Sequence, residues 1–195
     1  MKKWQKKIVA LGVVVTIVLL IRRASKEDLE FGELKVKNIT KQLTRHKVDQ
    51  YKTRDLGRIK MIVVHHSATD SGTPQAYANY HVNTRDWPGI GYHYVIQKDG
   101  TIFQTNELDT ISYHTGGQNT HSIGVCLTGN YDKQKPPAIQ IQKCGELIAA
   151  IRQQFSQDLR IKGHRDFSNK SCPGDNVSIS EIASLAEAYE QAIQA

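Results

Sequence analysis

Cysteine is scarce in this chain, three in 195 residues, and none stands in a Cys-x-x-Cys pair. A His-Glu-x-x-His run is missing too, which excludes the paired-cysteine zinc finger and the helical zinc-protease motif. Five prolines and 14 glycines are too few for a collagen-like or low-complexity chain, and no internal repeat appears. Acidic residues are absent from residues 1–23, which hold Lys2, Lys3, Lys6, Lys7, Arg22 and Arg23. Removing those six from 26 basic residues leaves 20 against 19 acidic ones, so the formal charge falls from +7 to +1. A body that near to neutral has no phosphate-tracking surface, and no nucleic-acid partner is expected.

What is present is a globular balance of 39% apolar and 23% charged residues. Ile8 to Ile21 is a charge-free run with four lysines before it and two arginines behind. As a helix it would be about 21 Å long at ~1.5 Å per residue, short against a bilayer core of ~30 Å. Counting from Trp4, with Lys6 and Lys7 snorkelling, lengthens it to about 27 Å. Arg22 and Arg23 occupy positions where a cleaved signal would need small residues, so an uncleaved signal-anchor over 1–23 is preferred to a cleaved signal or a core helix. The lysine excess before the run puts residues 24–195 outside the cytoplasm, in the cell envelope.

Residues 24–58 are charged and sparsely apolar and read as a stalk with at most one short helix. From Ile59 the pattern changes. Met61–Val64 reads as a strand covered on both faces, and Thr73-Pro74 as the opening of a helix to about Val82. Tyr92–Gln97 and Thr101–Gln104 flank a Lys98-Asp99-Gly100 turn, and Ser122–Thr128 and Leu159–Lys162 are further strands. Helical spacing covers about 137–155, and Ser178 to Glu181 fits a capping box before a closing helix. Strands alternating with helices predict one α/β domain over 59–195, a mixed β-sheet flanked by helices and preceded by the anchor helix.

The candidate chemistry lies at strand ends. His65-His66 closes one strand; because successive residues face opposite sides, only one of the pair easily serves a single site. His164 closes another, and Cys172 follows across a polar turn. Such nitrogen and sulfur groups suit zinc, but on spacing alone hydrogen-bonded histidines and an incidental thiol are preferred. Cys126 and Cys144 read as small core residues, with a bridge between them left open.

Four segments in order narrow this: Val63 to Thr69 (VVHHSAT), Gly91 to Gly100 (GYHYVIQKDG), His114 to Gly129 (HTGGQNTHSIGVCLTG) and Gly163 to Gly174 (GHRDFSNKSCPG). Together, across roughly residues 59–175, they resemble the zinc-dependent N-acetylmuramoyl-L-alanine amidases. That family includes a phage amidase-type lysozyme, and the peptidoglycan recognition proteins share its fold. The resemblance implies a zinc ion held by His65, His164 and Cys172, with Tyr92 and Lys170 at the catalytic centre. His66 is expected to be structural, and His93, His114 and Asn119 match positions near the substrate cleft. It also implies the reaction: hydrolysis of the amide joining N-acetylmuramic acid to L-alanine in peptidoglycan; a monomer is expected. A non-catalytic peptidoglycan-binding module and a zinc hydrolase cutting within the stem peptide are the rival expectations.

Overall fold

The computed structural model describes residues 28–31, 34–155 and 157–194. Its centre is a seven-stranded mixed sheet: β1 (Asp28–Phe31), β2 (Leu34–Asn38), β3 (Met61–His66), β4 (Tyr94–Ile96), β5 (Ile102–Gln104), β6 (Ser122–Leu127) and β7 (Arg160–Gly163), ordered β1-β2-β5-β4-β6-β3-β7. Antiparallel pairing joins β1 to β2 and β4 to β5; the other four neighbours run parallel. All six residues of β3 and of β6 are buried, as parallel strands covered on both faces must be.

Three helices cover the sheet: α1 (Pro74–Asn83), α2 (Ala138–Phe155) and α3 (Ile179–Gln194). The Thr73 hydroxyl caps α1 by accepting from the Ala76 amide at 3.2 Å, with Pro74 in the first turn. Ser178 does the same for α3 through the Glu181 amide at 3.1 Å. Helices α2 and α3 bury Ile141, Leu147, Ile148, Ile151 and Ile182 against Ile62, Val64, Ile123 and Val125. Each fully buried side chain of this size stabilises the fold by about 1.5–3 kcal/mol. The opposite face packs Tyr77 and Ala78 of α1 against Val95 and Cys126. Gly100, at φ +86, turns the chain between β4 and β5, with the Gln97 amide donating to the Thr101 carbonyl.

Residues 34–58 do not form a stalk. Leu34 and Val36 point into the core while Lys35 and Lys37 are exposed, so this stretch of lysines is a period-2 strand, β2, paired to β5. Further on, Arg54 is 7% exposed and reaches into the domain. The domain therefore starts well before Ile59. Among the described residues no helix is long and apolar enough to cross a membrane; the expected anchor over 1–23 lies outside the described residues.

Candidate metal centre

His65 is the penultimate residue of β3, pairs in register with Cys126 on β6, and shares its face with Val63 and Gly124. His66 turns to the other face, where its Nδ1 accepts from the Tyr131 amide at 3.1 Å. The alternation expected for this pair is what the strand shows. His164 follows β7 in a single turn, His164–Asp166, whose first amide neighbour Gly163 donates to the Asp166 carboxylate. The Arg165 amide donates to the Cys172 carbonyl at 2.7 Å, which folds the loop back and carries the thiol to His164.

The ligating atoms of His65, His164 and Cys172 lie within 4.8 Å of one another, and Cys172 Sγ is 3.7 Å from His65 Nδ1. Zinc bonds of about 2.0–2.1 Å to nitrogen and 2.3 Å to sulfur place tetrahedral ligands about 3.6 Å apart, so the trio fits that ion. The electrostatics agree. Burial, then neighbouring His114 and His164, holds His65 well below the usual imidazole range, and burial followed by Lys170 lowers His164. Both rings are therefore neutral and can offer lone pairs. Burial pushes the Cys172 thiol up to about 11, against a backbone hydrogen bond from His66 and the Lys170 charge, so thiolate forms readily only with a bound cation beside it.

Tyr92 is partly buried, its ring centroid 5.4 Å from that of His65. Burial raises its pKa well above 10, so it stays a donor at neutral pH. Lys170 is exposed, and its charge is felt at both His164 and Cys172. From Tyr92 a row of rings runs outward: His81 at 5.6 Å, Trp87 stacked on His81 at 4.8 Å, and Tyr113 at 5.9 Å from Trp87. Sequence reasoning passed over this row, whose only signal was Trp87 ahead of the Gly-Tyr-His motif.

The three residues matched to a substrate cleft each have structural partners. His93 is 0% exposed; its Nδ1 accepts from the Gly124 amide and its Nε2 meets the Thr110 carbonyl, so it is a core brace and not a substrate contact. His114 is buried against His65, with its Nδ1 3.1 Å from His65 Nε2. A Cβ at residue 124 would sit 2.6 Å from the His114 ring, so glycine there is what lets the ring in. Asn119 turns its side-chain oxygen to the His114 and Thr115 amides, at 3.1 and 2.7 Å, and holds their loop. Cys126, Cys144 and Cys172 are all free; the first two lie on opposite faces of the sheet, so no bridge joins them.

The chain is 32% identical over 130 residues to peptidoglycan recognition protein 1 of Bos indicus, covering 61% of this chain and 68% of that protein. To the endolysin of Klebsiella phage KP32 it is 32% identical over 92 residues, 45% of this chain and 60% of the endolysin. Among solved structures, N-acetylmuramoyl-L-alanine amidase LysC from Clostridium intestinale superposes with a TM-score of 0.63 at 27% identity, covering 73% of this chain and 95% of that one. The family profile Amidase_2, N-acetylmuramoyl-L-alanine amidase, matches residues 55–175. With more than half of its length matched, the chain belongs to the N-acetylmuramoyl-L-alanine amidase family.

Proposed function

We propose that this protein is a zinc-dependent hydrolase that cleaves the amide between N-acetylmuramic acid and L-alanine in peptidoglycan. The observation that carries the reading is the convergence of His65, His164 and Cys172, with ligating atoms within 4.8 Å, beside a protonated Tyr92 hydroxyl. Those three residues would hold the metal, which when bound supplies Lewis acidity toward an amide carbonyl and water. Tyr92 and Lys170 then act on the oxygen that gains charge as the carbonyl becomes tetrahedral: the hydroxyl as a hydrogen-bond donor, the ammonium as a cation.

The leaving amine needs a proton, and the nearby histidines are poorly suited to give it. His66 faces the far side of the sheet, and both ring nitrogens of His93 and His114 are engaged. Burial, with Arg85 adding to it, lowers His81 to about 4 and keeps it neutral. Tyr92 and solvent remain. The ring row through Trp87 and Tyr113 offers an apolar wall beside the metal trio, against which a sugar or stem peptide can lie.

The likeness to a peptidoglycan recognition protein favours one alternative, a module that binds the polymer without cutting it. The trio's thiol, Cys172, and the Tyr92 hydroxyl beside it argue for chemistry. As the position of residues 1–23 was read from sequence, the domain would act outside the cytoplasm, tethered to the membrane. The test is release of free amino groups from purified sacculi, run beside a reducing-sugar assay. An amidase gives the first signal without the second and loses it to a chelator; a binder gives neither.

A further inference from the structure

Building on the metal reading above, the geometry points to His114 as the positioning residue that fixes which nitrogen of His65 is free to bind a metal, with Ser122 fixing His114 in turn. His65 Nδ1 is the nitrogen 3.7 Å from the Cys172 sulfur, so it must be bare to serve as a ligand. Its other nitrogen, Nε2, faces His114 Nδ1 at 3.1 Å. One hydrogen lies between these two atoms, and the question is which ring owns it.

The far end of His114 answers. Its Nε2 lies 3.4 Å from the Ser122 carbonyl and 3.3 Å from the Ser122 hydroxyl. A carbonyl only accepts. The hydroxyl has its own hydrogen committed to the Gln118 carbonyl at 2.8 Å, so toward His114 it also accepts. Two acceptors at one nitrogen put the hydrogen on His114 Nε2. With that ring hydrogen on Nε2, the Nδ1 of a neutral His114 is bare. It accepts from His65 Nε2–H, and His65 Nδ1 is left with its lone pair turned to Cys172. The Thr115 hydroxyl, 3.0 Å from His114 Nδ1 and 3.3 Å from His65 Nε2, braces the same junction. The Ser122 carbonyl is itself held by Arg54 Nη1 at 2.7 Å, so the acceptor that starts the relay does not wander. A hydrogen-bond partner on the outer nitrogen of a metal-binding imidazole typically changes metal affinity by about 10–100-fold.

The experiment uses the full chain in detergent, metal-free and zinc-loaded. Long-range proton–nitrogen correlation spectra, with the His65 signals assigned by their loss in His65→Gln, report its tautomer directly. The unaltered metal-free protein should show His65 protonated at Nε2. His114→Phe keeps a ring over Gly124 but removes the acceptor; it should mix the two His65 tautomers and weaken zinc binding, by chelator competition, about 10–100-fold. His114→Asn returns an acceptor oxygen near the lost Nδ1 and should recover most of that loss. His65 protonated at Nδ1 in the unaltered protein, or an unchanged zinc affinity in a folded His114→Phe, overturns the inference. The tautomer reading needs no variant to fold. It also needs no zinc, so a chain that never binds zinc would sink the proposed function while the relay is still judged on its own.

Discussion

Arg54 Nη1 donates to the Ser122 carbonyl at 2.7 Å, across 68 residues of sequence, and so ties the segment before β3 to the strand beside the metal trio. The same guanidinium holds the carbonyls of Leu108 and Asn119. These acceptors bracket the loop that carries His114 and Thr115.

Replacing Arg54 by Leu leaves the Leu108 and Asn119 carbonyls without that donor, at about 1–3 kcal/mol for each group left unsatisfied. Denaturant unfolding should show a loss of roughly 2–6 kcal/mol on that scale. Arg54→Lys should recover little, since an ammonium lacks the planar fork that reaches three carbonyls at once. Near-wild-type stability in Arg54→Leu would refute this role.

Cys172→Ser, His65→Ala and His164→Ala should each lose bound zinc and hydrolysis together. A serine hydroxyl stays protonated near neutral pH and is a poor zinc ligand. The sheet and its two clusters do not depend on these side chains, so circular dichroism should be nearly unchanged, and binding to sacculi should outlast catalysis. Full activity in metal-depleted Cys172→Ser would count against the trio.

Tyr92→Phe and Lys170→Ala should lower turnover by about 10²–10³-fold, the range for losing one donor to a developing oxyanion. Neither group is a ligand, so zinc by elemental analysis should stay near one per chain. Zinc loss from either variant would move that residue into the metal's support instead.

Acid should destabilise the metal-free domain well above the range where carboxylates titrate. His114 and His81 have folded pKa values lowered to about 3 and about 4, mainly by burial. A depressed folded pKa contributes stability that is complete above the unfolded value of ~6.5 and is lost as pH falls toward the folded one. Each such histidine adds a slope of about 1.4 kcal/mol per pH unit in that window. Urea unfolding at pH 7.5, 6.5, 5.5 and 4.5 should be flat at the top and fall below 6.5. His81→Gln should remove about one histidine's share of the slope; a curve level from 7.5 to 4.5 would show that these rings are protonated when folded.

Much of this was legible in the sequence, and for identifiable reasons. Met61–Val64 reads as a buried parallel strand because nothing polar interrupts it, and His65 and His164 stand where such strands end. The caps at Thr73 and Ser178 are local, so they are visible locally. Strand β2 was hidden because its two buried residues sit among lysines, and composition outweighs a pattern that short. Arg54 carries no local mark at all: its acceptors are carbonyls 54 to 68 residues away. The burial of His93 and His114 was hidden for a related reason. A histidine inside a motif suggests contact with substrate, whereas its burial behind Gly124 or His65 is decided by the tertiary fold.

Mass spectrometry of the fragments released from purified sacculi tests the central claim most directly. The measurement is made on the zinc-loaded chain, on the chelated chain, and after zinc is restored. The account predicts stem peptides with a free L-alanine amino terminus and glycan strands with intact N-acetylmuramic acid, absent under chelation and recovered with zinc. Fragments cut within the stem peptide, glycan cleavage, or no fragments from a chain shown to hold zinc would contradict it.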